Sequence, residues 1–493
     1  MKKLYIFIIF TYLVSYLVFS QDAKRDNSWI LGYEHPNGSY PIGPMLINFN
    51  NQTPSITLIQ DTLNLGVCNA SISDTLGNLL FYTNGIEVRD KNNVILQNGD
   101  SLNYGDLWET WQGAGLPVRQ SALILPIPEH PTEYFIIHNT LKEYLQSNYY
   151  PTEVLYSKVD MSLNQGLGAV VAKNQTLFTL DKGDGTITAC RHGNGRDWWL
   201  LFSIKGDKCY ERFLLTPTGF ENKGQACIDG ITFDAVWEAR YSQDGTKYAR
   251  FQDATLHIMD FDRCNGLYSN LITIPVYYNP DSTGSGGVEF SPSSRYLYLT
   301  NGGYAYQYDM WASDIGSSII TIGVIDGLPD PYSPGGFTGT TLAPNGKIYV
   351  NAGSVLSVPV IQYPDSAGLS CHFEQHGLVL PHLNNTIPNF PNFRLGAAFG
   401  SGCDSLTVSH QVAVRSAQSK VYPNPAHNTL YIELSKQAQA ATFALFDLSG
   451  KEVFSQSLTS SNTQIQLGKL PKGVYLYTIF YNNHKEYGKL LIE

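Results

Sequence analysis

The sequence is poor in charged residues and lacks local catalytic signatures. Asp, Glu, Lys and Arg make up only 15% of its 493 residues, which disfavours long, charged surface helices. There is no C-x-x-C or paired-His spacing for structural zinc, no G-x-S-x-G, no H-E-x-x-H and no phosphate loop. We therefore expect no metal and no cofactor, and any catalytic residues would have to be scattered along the chain.

An excess of positive charge is also absent. The net charge is −10. Because both ends of the chain carry more basic than acidic residues, the middle is more acidic than the whole. This charge disfavours nucleic acid and anionic membrane surfaces as partners.

Aromatic residues and glycine are abundant instead. Aromatics make up 13% of the chain, with 32 Tyr, and there are 44 Gly. This composition favours short strands joined by tight turns. We predict an all-β protein of more than one domain, since 493 residues exceed what one core usually supports.

Seven cysteines are scattered along the chain. This number fits an oxidising compartment without requiring one. Buried free thiols are expected for most of them. The disulfide pairing stays open, with Cys190–Cys209 and Cys371–Cys403 as two candidate pairs.

The N-terminus has the pattern of an export signal. Two lysines precede a nearly uninterrupted apolar run over residues 4–19. A run of about sixteen residues suits a signal core better than a membrane span of about twenty. We predict a signal peptide over residues 1–20, cleaved between Ser20 and Gln21, and no later membrane span. An uncleaved N-terminal anchor is the alternative.

The middle of the chain repeats a strand-turn-strand unit. The copies lie roughly fifty residues apart, which is a propeller blade period. They begin at Ile72, Ala122, Thr188, Ala239, Val288 and Thr341. Four of the turns contain a glycine that can take positive φ, at Gly77, Gly195, Gly245 and Gly346.

We favour seven blades over six. Six units are internal, and a seventh can be assembled from the two ends of the propeller, residues 28–402. Residues 393–400 would supply its inner strand, and residues 29–33, 45–49 and 55–59 its outer three. A shared blade would close the ring and remove exposed sheet edges.

Six phrases of this region carry a family resemblance: ISDTLGNLLFYTNG, RHGNGRDWW, YSQDGTKYA, FDRCNG, LAPNGKIYV and NFPNFRLG. They resemble the recurring motifs of secreted WD40-like or TolB-like propeller proteins of Bacteroidota. The resemblance implies a fold and a kind of bacterium. It implies no agreed biochemical activity.

The pattern changes after the propeller. Residues 403–419 form a polar, serine-rich linker, and short alternating strands follow over residues 420–493. About seventy residues of this pattern can close a small immunoglobulin-like β-sandwich. An unrelated sandwich, such as a carbohydrate-binding module, is one alternative for this tail.

Specific motifs favour another interpretation. The tail starts with Y-P-N-P, contains LFDLSGKEV and LPKGVYLY, and ends in KLLIE; the residues concerned include Tyr422, Pro423, Asn424, Pro425, Gly450 and Gly473. These motifs closely resemble the type A C-terminal sorting domain of the type IX secretion system. The resemblance implies passage through the periplasm, the secretion machinery as partner, and a final place in the medium or on the cell surface.

One hairpin concentrates polar and aromatic residues. The candidates are Arg191, His192, Arg196, Asp197, Trp198 and Trp199. In a binding interpretation the basic residues grip a carboxylate or sugar hydroxyls while a Trp stacks on a ring. In the structural interpretation, which we favour, residues 193–195 form the turn and alternation sends at least one Trp into a blade interface.

Two classes of function fit these patterns. The first, which we favour, is a secreted or surface propeller without catalytic activity that binds a glycan or protein or serves adhesion. The alternative is a hydrolase or lyase acting on polysaccharide or peptide, with acid and base residues scattered over several blades.

Overall fold

The computed structural model describes most of the chain. The described residues are 22–33, 41–60, 64–143, 149–180, 183–276, 286–327, 336–404, 419–434, 441–447, 452–468, 470–481 and 484–493. The predicted signal peptide, with Ser20 and Gln21, lies outside them, as does Gly450. The chain forms two compact units, residues 1–406 and 407–493.

Within the described part of the first unit, seven antiparallel sheets follow one another, and each forms one blade. Blades 1 and 2 have three strands each: blade 1 contains β1 (Ser28–Leu31), β2 (Met45–Asn48) and β3 (Ser55–Leu58), and blade 2 contains β4 (Ala70–Ser73), β5 (Leu79–Thr83) and β6 (Val88–Asp90). The other blades have four strands: blade 3 contains β7 (Ala122–Pro126), β8 (Glu133–Glu143), β9 (Tyr149–Asp160) and β10 (Ala169–Thr179), and blade 4 contains β11 (Ala189–Arg191), β12 (Trp198–Ser203), β13 (Cys209–Thr216) and β14 (Gly219–Cys227). Blade 5 contains β15 (Glu238–Tyr241), β16 (Lys247–Gln252), β17 (Thr255–Asp262) and β18 (Leu267–Pro275); blade 6 contains β19 (Gly286–Phe290), β20 (Tyr296–Asn301), β21 (Tyr304–Asp309) and β22 (Ile320–Val324); and blade 7 contains β23 (Gly339–Leu342), β24 (Ile348–Asn351), β25 (Val355–Ile361) and β26 (Phe373–Asn384). A short helix, α1 (Asp106–Trp111), lies between blades 2 and 3. Single 3-10 turns occur at Asn164–Gly166, Gly316–Ser318 and Gly368–Cys371.

The six predicted strand-turn-strand units are the first two strands of blades 2 to 7. Each of the four turn glycines has positive φ, for example +73° at Gly195. These first strands lie around the axis of the ring, since β4 lies beside β7 and β15 beside β19.

Apolar cores between neighbouring blades close the ring. Each consecutive pair from blades 1 and 2 to blades 6 and 7 shares buried side chains. Blade 7 also packs on blade 1, where the Trp29 ring lies 5.6 Å from the Tyr349 ring. The prediction of a seven-bladed, all-β propeller is therefore confirmed.

The predicted inner strand of the shared blade is wrong. The structure has no strand over residues 393–400, and blade 1 has three strands with β1 innermost. Pro388 and Pro391 come just before this stretch and cannot donate to a ladder. We call residues 385–398 the channel segment, because they cross the centre of the ring without forming a strand.

Two disulfides join residues that the sequence did not pair. Cys209 bonds to Cys227, its cross-strand partner, and Cys264 bonds to Cys403. Both candidate pairs are thus wrong, as is the expectation that most thiols are free. The free thiols are Cys68, Cys190 and Cys371, all buried.

The second unit is a small two-sheet β-sandwich, as predicted. One sheet contains β27 (Lys420–Tyr422), β28 (Thr429–Glu433) and β31 (Asn462–Gln466); the other contains β29 (Ala441–Phe446), β30 (Glu452–Leu458), β32 (Gly473–Tyr481) and β33 (His484–Ile492). Leu430, Phe443, Ile465 and Ile479 are buried between the sheets.

Candidate functional site

The predicted hairpin of polar and aromatic residues forms the β11–β12 turn of blade 4. The Asn194 side-chain oxygen accepts from the amides of Arg196 and Asp197 at 2.9 and 3.0 Å. Asn194 therefore fixes the turn, and Gly195 supplies its positive φ.

Both tryptophans of the hairpin are buried. Trp198 is fully buried in the core that joins blades 2, 3 and 4. Trp199 packs between blades 4 and 5 and donates its indole N–H to the Arg263 carbonyl at 2.8 Å. Neither ring is therefore available to stack on a sugar.

His192 connects two blades. Its Nδ1 accepts from the Asn194 amide at 3.0 Å, so its Nε2–H donates to the Cys264 carbonyl at 3.2 Å. This arrangement fixes the tautomer and ties the turn of blade 4 to blade 5.

The two arginines differ in exposure. Arg191 is buried, pairs with Asp22, and lies 4.1 Å above the Trp198 ring. Burial lowers its pKa, although Asp22 opposes the change. Arg196 is partly exposed and bonds Asp197 at 2.7 Å and Glu129 of the β7–β8 turn at 2.8 Å.

Three of these six residues line an open cleft of about 800 Å³. The cleft lies where the turns of blades 2, 3 and 4 meet the end of the channel segment. Prolines and apolar side chains form much of its wall, and four arginines contribute to it. The lining includes Asp22, Arg25, Asp74, Leu80, Ile127, Glu129, His130, Pro131, Met161, Arg191, Arg196, Trp198, Arg394 and Leu395.

Ion pairs organise the charges of the cleft. Arg25 bonds Asp22 at 3.0 Å and the Tyr134 hydroxyl at 2.6 Å. Burial works to raise the Asp22 pKa, but Arg191 and Arg25 outweigh it and hold the pKa below its usual value. Arg394 bonds the Asp26 carboxylate through two nitrogens, each at 2.7 Å.

The channel segment fills the ring at Asn389. Its amide N–H₂ donates to the carbonyls of Ala122 and Ile187 at 3.0 and 2.9 Å. Its side-chain oxygen accepts from Gln120 and Arg240, both at 3.1 Å. One side chain thus bonds to chain segments of blades 3, 4 and 5.

Buried charges surround Asn389. Arg240 pairs with Glu238 at 2.8 Å and Glu289 at 3.2 Å. Burial raises the Glu289 pKa to about 7, with Arg240 opposing the shift. Burial also raises the Glu238 pKa. These charges hold one another and the channel segment in place, so the channel is not an open site.

A Ser-His-Asp chain lies between blades 6 and 7, with Ser357 on β25, His376 on β26 and Asp326 just after β22. The Asp326 carboxylate lies 3.2 Å from His376 Nε2, and His376 Nδ1 lies 2.7 Å from the Ser357 hydroxyl. Because a carboxylate only accepts, Nε2 carries the proton and Nδ1 accepts from Ser357. Gln375 accepts from the Asp326 amide at 2.9 Å and donates to the Val324 carbonyl at 2.8 Å.

The channel segment, the cleft walls and this Ser-His-Asp chain were not predicted from the sequence. Part of NFPNFRLG was predicted to lie in an inner strand, whereas it crosses the ring without forming one. A Pro- and Asn-rich stretch between the last blade and the linker was the available signal for the channel segment. The other sites are assembled from distant turns and had no local signal.

The sorting motif joins the beginning of the sandwich sequence to its last strand, β33. Asn424 donates to the Lys489 carbonyl at 2.7 Å and accepts from the Leu491 amide at 2.9 Å. Tyr422 stacks on Tyr431 at 5.9 Å between ring centres. Pro423 and Pro425 flank Asn424, and Gly473 begins β32.

Among the residues that the structure describes, no group of three or more potential ligand side chains could hold a metal ion. Within the same residues, no helix is long and apolar enough to cross a membrane.

Several solved structures are similar to the chain. A protein from Lactobacillus plantarum has 10% identity and a TM-score of 0.44, covering 74% of this chain and 99% of that one. A putative 6-phosphogluconolactonase from Bacteroides uniformis has 11% identity and a TM-score of 0.36, covering 90% and 100%. The β-propeller domain of Cps50 (Swd1) from Myceliophteria thermophila has 9% identity and a TM-score of 0.35, covering 66% and 94%. None of these likenesses assigns an activity.

The chain is similar to a known protein family at its C-terminal end but to no curated protein. No curated protein matches the chain. Residues 420–493 match the family of secretion system C-terminal sorting domains. These residues are therefore a sorting domain of the type IX secretion system, and the protein is exported to the cell surface or secreted.

Proposed function

We propose that the protein is an exported binding module that holds a protein partner in the cleft between blades 2, 3 and 4. The cleft carries this proposal: it is open and about 800 Å³ in volume, whereas the channel is filled by the protein's own chain. Ligand pockets commonly have such volumes and combine apolar walls with a few polar groups.

The lining favours a peptide segment over a glycan. The aromatic rings of Tyr134, Trp198 and Phe393 are all at most 2% exposed, so none offers a face for a sugar ring. Apolar walls suit the side chains of a protein partner. Arg196 and Arg394 pair with Glu129 and Asp26 but stay partly exposed, so each can also bind a carboxylate of the partner.

Binding to an array of acidic and neutral peptides and to an array of glycans tests this proposal. We expect acidic peptides to bind, and Arg196→Glu to weaken them at least about tenfold, because a like charge replaces a carboxylate-binding group. Thr75→Trp, at an exposed position of the wall, should block the cleft without removing a core contact.

Lys208→Glu, in the β12–β13 turn of blade 4, is the matched control and should bind normally, since Lys208 does not line the cleft. Glycan binding without peptide binding would contradict the protein partner. Peptide binding that survives both cleft variants would contradict the cleft as the site.

A second candidate function is hydrolysis of an acyl ester at Ser357. The Ser357–His376–Asp326 chain favours it, since His376 is placed to take the serine proton during attack on a carbonyl carbon. A fluorophosphonate probe should then label Ser357, and His376→Ala should abolish labelling. Absence of labelling in the folded wild-type protein would reject this candidate.

A further inference from the structure

The channel segment is fixed at both ends. It leaves blade 7 directly after β26. Beyond its far end, Cys403 is bonded to Cys264 in the β17–β18 turn of blade 5. The two cysteines are 139 positions apart in sequence, so this bond joins the end of the propeller to its middle.

Side-chain and isolated backbone bonds hold the segment between these ends. In addition to the Asn389 contacts, Asn392 donates to the Gln243 carbonyl at 2.9 Å, and the Ala398 amide donates to the Gly193 carbonyl at 2.8 Å. Residues 385–404 contain no strand, so opening the segment breaks no β-ladder and costs these bonds and the packing of Phe393.

A charged cluster lies beneath the segment. Glu238, Arg240 and Glu289 are buried around Asn389, and the partly exposed Arg119 lies beside them. Cavities of about 40 and 20 Å³ lie along the segment beside Asn392 and Asn389. Its removal would therefore join these spaces and expose the cluster to solvent.

We propose that the channel segment is a gate that the Cys264–Cys403 disulfide keeps shut. With the disulfide formed, an opened segment stays tethered at both ends and returns to its place. Reduction frees the far end and lets the channel open onto the charged cluster. In this step a dithiol donates two electrons and two protons, the S–S bond becomes two thiols, and the dithiol becomes a disulfide.

Hydrogen exchange of the full chain tests the gate. Dithiothreitol should accelerate exchange over residues 385–398 at least about tenfold, because a disulfide closing a long loop commonly contributes more than the equivalent free energy. The variant Cys264→Ser/Cys403→Ser should exchange equally fast without reductant. The matched control, Cys209→Ser/Cys227→Ser, should keep slow exchange there and respond to reductant like the wild type.

Asn389→Ala provides an independent variant with the disulfide intact. Loss of its four side-chain bonds should accelerate exchange in the same residues, and dithiothreitol should add to the effect. Unchanged exchange over residues 385–398 in the reduced wild-type protein would overturn the gate. Equal acceleration in the blade strands would also overturn it, because reduction would then unfold the ring rather than open its channel.

Discussion

At the scale of single residues, the hairpin between β11 and β12 contacts several other parts of the ring. His192 and the two tryptophans connect blade 4 to its neighbours, and Arg191 pairs with Asp22 ahead of blade 1. The sequence predicted a buried Trp because alternation places Trp198 and Trp199 on opposite faces of a strand. It could not predict the partner of Arg191, because Asp22 lies 169 positions away.

Truncation of either tryptophan tests this role. Trp198→Ala and Trp199→Ala should each lower the free energy of unfolding by about 3–5 kcal/mol, because each leaves a large cavity between blades. Trp311→Ala is the control, since its ring is 71% exposed. Thermal or urea unfolding checks the result, and a loss no greater than that of Trp311→Ala would contradict the packing.

A buried histidine predicts a pH dependence. His138 is fully buried, and burial lowers its pKa to about 3. In the unfolded chain it takes up a proton below about 6.5, while the folded protein excludes that proton. The contribution of the neutral His138 to the free energy of unfolding is therefore complete above pH 6.5. It is lost progressively as the pH falls toward 3.

Unfolding between pH 7 and 4 measures this effect. His138→Gln should weaken the acid dependence, whereas His372→Gln, at an exposed position, should leave it unchanged. Equal pH profiles for the wild type and His138→Gln would show that His138 does not contribute.

At the scale of elements, the regular parts of the fold were predictable. Strand pairs such as β15–β16 join two short segments across a turn that contains Gly245, and this pattern is local. The channel segment was not predictable as such. It has no period, and its position depends on Asn389 contacts with three separate blades.

The Asn424 contacts predict how the sorting domain is closed. Asn424→Ala removes two bonds to β33 and should accelerate hydrogen exchange over residues 484–493. We expect a loss of about 1–2 kcal/mol in the stability of this strand. Asn428→Ala, at an exposed position of the same connection, is the control. Unchanged exchange over residues 484–493 in Asn424→Ala would show that Asn424 does not stabilise β33.

At the scale of the whole molecule, the chain divides into a propeller and a sorting domain. The destination was predictable because the C-terminal motifs lie close together in sequence and recur as a set. The cleft was not, because its wall combines Arg25, Ile127, Arg196 and Leu395 from separate segments. A ring built from blades creates such sites only after it closes.

Export in a host with a type IX secretion system is the most direct test of the sorting domain. The full chain should reach the surface or medium, the chain without residues 420–493 should remain folded in the periplasm, and a foreign protein fused to these residues should be exported. The truncated chain at normal levels outside the cell would contradict the role of residues 420–493 in export.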